Sequence, residues 1–363
     1  MRVIISGGGT GGHIFPAIAI AQAILAQRPD AQILFVGAEG RMEMEKVPAA
    51  GFTIVGLPIV GIQRRLTWKN LLVPIKVWRS LRKARSVIKE FKPDIAIGVG
   101  GYASGPLLRV AGSMGIPTLI QEQNSYPGIT NKILAKKAAK ICVAYDNMQQ
   151  FFPQEKIVLT GNPVRPEVGD IQGKRERALQ HFQLEASRKT LLVVGGSLGA
   201  RTINEAIRTH AASLIDGGLQ IVWQTGKNYA ATAEAAAAGV QHLHAHAFIK
   251  EMDLAYAAAD LIVSRAGAMS ISELCLMSKP VIFVPSPNVS EDHQTKNAMA
   301  LVNKDAAVLV RDAEAQATLS QAILSLAKDE ARCKTLSENI VKLGKARAAQ
   351  EIATIALQLA GKA

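Results

Sequence analysis

The hydrophobic pattern divides the chain into short apolar runs that alternate with longer amphipathic segments. In the first half, apolar runs rich in β-branched residues occupy positions 2–6, 33–37, 53–57, 93–98, 118–121, 141–144 and 157–159. Such runs are typical of parallel strands that are covered on both faces. After the first run, apolar residues recur at helical spacing over residues 14–25. This pattern predicts a strand followed by an amphipathic helix.

The second half repeats this design. Its apolar runs lie at 189–194, 219–223, 243–247, 261–264 and 281–285, and helices are predicted from Thr202, over 315–327, from 330 and over 346–359. The alternation predicts an α/β fold of doubly wound parallel sheets. Residues 161–166 contain two prolines and are interpreted as a linker. We therefore predict an N-terminal domain over 1–163, a C-terminal domain over 164–343 and a last helix over 344–363 that docks back on the N-terminal domain.

Composition narrows the class of protein. A chain of 363 residues with 48% hydrophobic and 20% charged residues suits two globular domains. The net charge of +13 favours an anionic partner, such as nucleic acid, acidic lipid or a phosphorylated substrate. The three cysteines are widely spaced, which predicts neither a disulfide framework nor a metal site and fits a reducing cytosol. No apolar run is long enough to predict a membrane span.

Residues 61–92 carry ten Lys or Arg residues against one acid, Glu90. On a helical projection one stripe is predicted to pack on the sheet, formed by Val73, Val77, Leu81, Ala84, Ile88 and Phe91. The opposite side combines an apolar tip with cations, and its members are Leu71, Ile75, Trp78, Arg79, Arg82 and Arg85. This pattern favours contact with an anionic membrane surface. A solvated basic helix is the alternative, and nucleic acid is disfavoured because aromatic residues do not recur as stacking platforms.

Glycine-rich loops follow three of the predicted strands, at residues 7–12, 98–106 and 195–200. Their exposed amides and the following helix N-termini can hold phosphate or a developing negative charge. His13 lies where the first loop meets its helix, and an imidazole there suits general-base chemistry. The carboxyl ends of parallel strands share one edge, so we expect His13, Tyr102, Glu122 and Asn124 to surround one crevice.

The stretch from Ser264 to Glu273 reads as a strand end, a glycine turn and a helix start. Its first turn can meet a diphosphate, and Glu273 can accept hydrogen bonds from the two hydroxyls of a ribose, although a helix-capping carboxylate is the alternative. Gln294 is predicted at the same edge. A dinucleotide-dependent oxidoreductase is a competing interpretation of the first glycine loop. It is disfavoured because Asp30 precedes the second strand rather than ending it.

Together these motifs resemble the bacterial peptidoglycan glycosyltransferases that convert lipid I to lipid II. The resemblance covers essentially the whole chain and is carried by residues 7–16, 98–106, 122–124, 161–165, 195–200 and 264–273. It implies the GT-B fold, in which two Rossmann-like domains face each other across a cleft, with acceptor and membrane contacts in the N-terminal half and the donor in the C-terminal half. The implied donor is UDP-N-acetylglucosamine, and the implied acceptor is undecaprenyl-diphospho-muramoyl-pentapeptide.

The resemblance also implies roles for individual residues. Thr10, Gly11 and Gly12 would meet the donor from across the cleft, Asn124 would help to close it, and Arg165 and Ser197 would hold the diphosphate. Ile249 would present its backbone to uracil, Glu273 would bind ribose and Gln294 would contact the sugar hydroxyls. The phosphates would be lined by Ala268, Met269, Ser270, Ile271 and Ser272.

An α-linked donor and a β-linked product imply one inverting displacement by the acceptor's C4 hydroxyl. His13 is the predicted base, with Glu122 as second choice, and Tyr102 is expected to position the acceptor. The sequence contains no Asp-x-Asp, so we expect neither a catalytic metal nor a cofactor. The enzyme is expected to lie peripherally at the cytoplasmic face of the plasma (inner) membrane, with anionic phospholipid and cell-wall or division proteins as partners. A diacylglycerol glycosyltransferase and a nonenzymatic nucleotide-sugar- or RNA-binding protein are the alternatives.

Overall fold

The computed structural model describes residues 1–59, 73–164, 171–196 and 198–361. The chain forms two compact units, Met1–Arg165 together with Arg347–Ala363, and Pro166–Ala346. We call them the N-terminal unit and the C-terminal unit.

The N-terminal unit is built on a seven-stranded parallel sheet with the order β3-β2-β1-β4-β5-β6-β7. Its strands are β1 (Arg2–Gly7), β2 (Gln32–Ala38), β3 (Thr53–Leu57), β4 (Ile95–Gly100), β5 (Thr118–Glu122), β6 (Lys140–Val143) and β7 (Ile157–Leu159). Its helices are α1 (Gly11–Gln27), α2 (Glu43–Ala49), α3 (Val73–Phe91), α4 (Ser104–Ser113), α5 (Ile129–Ala135) and, from the end of the chain, α14 (Ala348–Leu359). The strand order reverses next to β1, where ligands bind in folds of this type.

Both faces of this sheet are buried, as the continuous apolar runs predicted. Val3 and Ile5 of β1 lie in one core with Ile14 of α1 and Ile352 of α14. Ile4 points to the opposite face and joins the core that contains Ile88 of α3 and Leu107 of α4. Alternate residues of one strand therefore hold helices on both sides of the sheet.

The C-terminal unit repeats the architecture with six parallel strands in the order β10-β9-β8-β11-β12-β13. The strands are β8 (Lys189–Val194), β9 (Leu219–Gln224), β10 (Leu243–His246), β11 (Leu261–Ser264), β12 (Val281–Phe283) and β13 (Val308–Leu309). The helices are α6 (Arg175–His181), α7 (Arg201–Asp216), α8 (Ala230–Ala237), α9 (Met252–Ala258), α10 (Ala268–Leu274), α11 (His293–Val302), α12 (Ala315–Lys328) and α13 (Glu330–Lys342). The predicted doubly wound α/β class is therefore confirmed in both units.

Two boundaries differ from the predictions in a way that affects the candidate site. Helix α1 begins at Gly11 rather than at residue 14, so His13 belongs to its first turn, where its amide donates to the Thr10 carbonyl at 3.1 Å. Strand β4 extends to Gly100, because Gly7 pairs with Gly100 after a register shift. The first three residues of the predicted second glycine loop are therefore strand.

One predicted face of α3 also differs. Ala84 and Ile88 are buried as expected, whereas Val77, assigned to the stripe on the sheet, is 37% exposed. Val77 lies nearer the helix start and lines an open cavity. The apolar residues of this helix therefore serve two surfaces, the core and the cavity.

Candidate functional site

The imidazole of His13 is fixed by the glycine loop that precedes it. Its Nδ1 lies 3.0 Å from the Gly8 carbonyl oxygen and 3.3 Å from Thr10 Oγ1. A carbonyl oxygen can only accept, so the bond to Gly8 requires the proton on Nδ1. In the neutral ring Nε2 then carries the lone pair, as a general base requires.

The second glycine loop packs directly against the first. A Cβ at Gly100 would lie 2.8 Å from His13 Nε2, and a Cβ at Gly101 would lie 2.3 Å from the Gly8 carbonyl oxygen. Both glycines also have positive φ angles, +105° and +90°. Side chains are therefore excluded at both positions, and the close approach brings the ends of β1 and β4 together beside His13.

Tyr102 and Glu122 lie at the carboxyl ends of β4 and β5, so the sheet carries His13, Tyr102, Glu122 and Asn124 at one edge. Tyr102 is 48% exposed, whereas Glu122 is 2% exposed. The Glu122 carboxylate accepts four hydrogen bonds, from Asn124 N at 3.0 Å, Asn124 Nδ2 at 3.3 Å, Gly128 N at 3.2 Å and Asn131 Nδ2 at 2.8 Å. Glu122 thus fastens the loop after β5 to helix α5.

Opposing effects act on the proton affinity of Glu122. Burial raises the pKa of its carboxyl, and the bonds donated by Asn124, Asn131 and Gly128 act in the opposite direction, with burial the larger effect. A buried carboxylate surrounded by N–H donors is suited to holding a loop. His13, which is partly exposed, is the more accessible of the two groups for accepting a proton from a bound ligand.

In the C-terminal unit, the predicted donor residues follow the carboxyl ends of β10, β11 and β12. Residues Ala268 to Glu273 belong to α10, with Gly267 as its N-cap. The buried Tyr256 of α9 donates its hydroxyl to Glu273 Oε2 at 3.4 Å. Ser272 Oγ donates to the Ala268 carbonyl at 3.0 Å within the helix. The Tyr256 hydroxyl thus orients Glu273, the one carboxylate of this helix.

Two glutamines hold the neighbouring loops. Gln224 Oε1 at the end of β9 accepts the Ile249 amide at 3.0 Å, so the Ile249 N–H is engaged within the protein. Gln294 Oε1 accepts the Ser286 amide at 2.8 Å and fixes the loop that leads into α11. Three predicted residues, Leu71, Arg165 and Ser197, lie outside the described residues.

An arginine that the sequence reasoning missed connects several loops at this edge. Arg265 Nη1 donates to the carbonyls of Val284 and Pro285 at 3.0 and 3.2 Å and also contacts the Asp312 carboxylate. Asp312 in turn accepts from Thr202 Oγ1 at 3.0 Å. The ends of β11 and β12 and the start of α7 are thereby joined. The one sequence feature that points to this structural role is the position of Arg265 directly after β11.

A cavity of about 1180 Å³ opens in the N-terminal unit among α3, α4 and α5. Its lining is apolar, with the exposed side chains of Trp78, Ile129 and Ile133. Five cations also line it, namely Arg82, Arg85, Arg109, Lys136 and Lys137. The Arg82 guanidinium lies 4.9 Å from the centroid of the Trp78 ring. An apolar cavity with a cationic rim suits an amphiphile with an anionic head group.

Comparison with known proteins decides the family. Residues 3–143 match the glycosyltransferase family 28 N-terminal domain, and residues 190–352 match the family's C-terminal domain. The chain belongs to glycosyltransferase family 28. The predicted enzyme class is thereby confirmed.

Family 28 members with very similar sequences carry one name. A protein of Bacteroides thetaiotaomicron is 57% identical, covering 99% of this chain and 98% of its own length, and one of Flavobacterium psychrophilum is 51% identical, covering 97% and 95%. Both are named UDP-N-acetylglucosamine–N-acetylmuramyl-(pentapeptide) pyrophosphoryl-undecaprenol N-acetylglucosamine transferase. The resemblance predicted from the motifs is confirmed.

Two solved structures have a similar fold. The crystal structure of Acinetobacter baumannii MurG has a TM-score of 0.80 and 27% identity, covering 98% of this chain and 99% of that one. The UDP-GlcNAc 2-epimerase of Neisseria meningitidis shares the fold, with a TM-score of 0.69 and 14% identity over 99% and 100% of the two chains.

Two features are absent from the described part of the chain. None of its helices is both long and apolar enough to cross a bilayer. In the same residues, no group of three or more His, Cys, Asp or Glu side chains is placed to hold a metal ion.

Proposed function

We propose that this family 28 enzyme transfers N-acetylglucosamine from UDP-N-acetylglucosamine to the C4 hydroxyl of the muramoyl sugar of lipid I and thereby forms lipid II. The observation that carries the proposal is 57% identity to a transferase of this name over 99% of the chain. The glycine loops, His13 and Glu273 supply the groups that such a transfer needs.

The donor is assigned to the C-terminal unit. The Ile249 carbonyl accepts from the uracil ring, and Glu273, oriented by Tyr256, accepts from the ribose hydroxyls. The first-turn amides of α10 face the diphosphate, together with Arg165 and Ser197. Gln294 contacts the sugar. Since the sequence has no Asp-x-Asp, these groups, rather than a metal ion, neutralise the departing UDP.

The reaction is a single displacement. The acceptor's C4 oxygen forms a bond to the anomeric carbon while the bond from that carbon to the UDP oxygen breaks, which inverts the configuration. His13 Nε2 takes the hydroxyl proton, and its Nδ1–H bond to Gly8 is retained. Tyr102, exposed at the same edge, positions the acceptor, and Glu122 holds the adjoining loop.

The lipid part of the acceptor is assigned to the surface around α3. The cavity beside Trp78 takes membrane lipid, and its cations attract anionic head groups. This arrangement supports peripheral binding of the enzyme to an anionic membrane surface, and we assign that surface to the cytoplasmic face of the plasma membrane.

The test is turnover of radiolabelled UDP-N-acetylglucosamine with a short-chain lipid I analogue, with and without EDTA. We expect a disaccharide product with a β linkage at equal rates in both arms. A parallel reaction with diacylglycerol tests the alternative acceptor. Product on diacylglycerol alone, or an α linkage, would overturn the proposal, and loss of turnover with EDTA would overturn its metal-independent part.

A further inference from the structure

Glu43 is a buried carboxylate that the proposed reaction leaves without a role. It is the first residue of α2, is 1% exposed and lies beneath the first glycine loop. Its Oε2 accepts the Gly9 amide at 2.9 Å, and its Oε1 accepts the Ala38 amide at 3.0 Å. A carboxylate this deeply buried is retained only where hydrogen bonds compensate its desolvation.

Two neighbouring positions, Gly8 and Gly37, have no side chain and so leave room for the Glu43 side chain. A Cβ at Gly8 would lie 2.2 Å from Glu43 Oε1, and a Cβ at Gly37 would lie 2.6 Å from Glu43 Cγ. The buried Glu43 side chain therefore explains why Gly8 and Gly37 are glycines, without reference to a phosphate ligand.

The Gly8–Gly9 peptide group connects Glu43 with His13. The N–H of this peptide donates to Glu43, and its C=O accepts the proton of His13 Nδ1 at 3.0 Å. An acceptor on the N–H side polarises an amide and makes its carbonyl oxygen a stronger acceptor, because hydrogen bonds in a chain reinforce one another. The negative charge of Glu43 thus strengthens the hydrogen bond between the Gly8 carbonyl and the imidazole of His13.

We propose that Glu43 is a positioning residue that acts on His13 through the Gly8–Gly9 peptide. It fixes the Nδ1–H tautomer, aims Nε2 outward and stabilises the imidazolium that forms when His13 takes the acceptor proton. The inference rests on the proposed function for its kinetic consequence, but its effect on the imidazole exists in the substrate-free protein.

Other charged or titratable groups near α1 and the glycine loops are engaged elsewhere or exposed. Glu39 after β2 pairs with Lys83 at 2.9 Å, and Glu122 binds its own loop. The others on the packed elements are Glu45 and Lys46, which pair on α2, Arg2 at the start of β1, the exposed Tyr102 after β4, and the exposed Glu351 on α14. Glu43 is connected to His13 by two hydrogen bonds through the Gly8–Gly9 peptide.

The experiment compares the wild type with Glu43→Gln, Glu43→Asp and the control Glu45→Gln, which changes an exposed carboxylate of the same helix. Rates with the lipid I analogue are measured across pH, and the His13 imidazole is titrated by NMR in substrate-free protein, with His13→Gln assigning its signal. A thermal unfolding scan verifies that each variant is folded.

We expect Glu43→Gln to lower kcat roughly 10-fold, with a smaller change in the KM for the donor. Removing the negative charge destabilises the imidazolium, so the His13 pKa and the acidic limb of the rate profile move down by about half a pH unit. Glu43→Asp keeps the charge and should retain the wild-type acidic limb, and Glu45→Gln should match the wild type in both measurements.

An unchanged His13 titration in folded Glu43→Gln would overturn the inference, even if kcat fell. If Glu43→Gln does not fold, a titration of Glu43→Asp in which the His13 pKa drops despite the retained charge would overturn it equally. If the wild type does not use lipid I but the His13 titration still shifts in Glu43→Gln, the proposed function is contradicted and the inference about Glu43 is supported.

Discussion

At the scale of single residues, the proposed chemistry depends on how glycines orient His13. Gly8 supplies the carbonyl for Nδ1, and Gly100 leaves the space that the ring occupies. The imidazole is therefore held from two strands, and its basic nitrogen has one orientation. A side chain with a similar shape but no basic nitrogen should keep the fold and lose the chemistry.

We expect His13→Gln to lower kcat by about 100- to 10,000-fold, the usual contribution of a general base, with little change in the KM for UDP-N-acetylglucosamine. Steady-state kinetics measures both constants. The control is His210→Gln, which changes a half-buried histidine of the C-terminal unit that contacts the Gln316 carbonyl. Undiminished kcat in His13→Gln would assign the base elsewhere, with Glu122 as the first residue to test.

The cysteines give a prediction about reactivity. Burial raises the pKa of the Cys142 thiol and of the Cys275 thiol to about 12. At pH 8 about one such thiol in 10,000 is then a thiolate, the reactive form. We expect Ellman's reagent to leave both unmodified in the native protein and to count three thiols after denaturation. Cys333, which is partly buried, should account for any slow native reaction, and Cys333→Ala should abolish it.

From the sequence alone, the place of a residue at a strand end could be predicted where a motif directly follows an apolar run, whereas its role stays a prediction. His13, Tyr102 and Glu122 were placed at one edge because each follows a recognisable apolar run. Their supporting partners were not found, because pairs such as Glu43 with Gly9 or Tyr256 with Glu273 are far apart in the chain. No local pattern marks such a pair.

At the scale of elements, the sequence predicts the strands that are formed by long apolar runs, but not the short elements of mixed polarity. Strands such as β3 and β8 begin and end where the pattern predicted. Helix α2 has seven residues, one of them a proline, and β13 has two residues, so neither carries enough periodicity to be recognised. The missed α2 is the helix that brings Glu43 to the glycine loop.

Helix α3 carries the membrane prediction. Ile75 and Trp78 are 54% and 57% exposed, and Arg82 and Arg85 line the adjoining cavity. We expect Trp78→Ser, and separately Arg82→Glu with Arg85→Glu, to reduce sedimentation with vesicles that contain anionic lipid. The charge-reversal effect should weaken at high salt, because the attraction is screened.

The matched control for charge is Arg177→Glu with Lys342→Glu, which reverses two exposed cations of the C-terminal unit. This variant should sediment as the wild type does. Equal loss of binding in both double variants would show that net charge alone drives the association, and unchanged binding of the α3 variants would assign the cavity to another ligand.

At the scale of the whole molecule, the chain ends in the unit in which it begins. Helix α14 packs on α1, and its buried residues Ile352, Ala353, Ala356 and Leu357 belong to the same core as β1. Gln27 of α1 also bonds to the Gln350 carbonyl and to Thr354 Oγ1, each at 3.0 Å. The sequence predicts that this helix docks on the N-terminal domain, but it does not indicate that α1 is the helix on which it packs.

Removing part of this face should destabilise the N-terminal unit selectively. Ile352 is fully buried, so Ile352→Ala leaves a cavity and should cost about 2–5 kcal/mol of unfolding free energy in that unit. Amide hydrogen exchange at low denaturant should be faster than in the wild type in β1 and α1, while the amides of β8 and α7 in the C-terminal unit should keep their protection. Gln358→Ala, on the exposed side of α14, should leave both units unchanged. Equal destabilisation of the two units by Ile352→Ala would mean that they unfold together, and no effect would mean that α14 contributes little to the core that it covers.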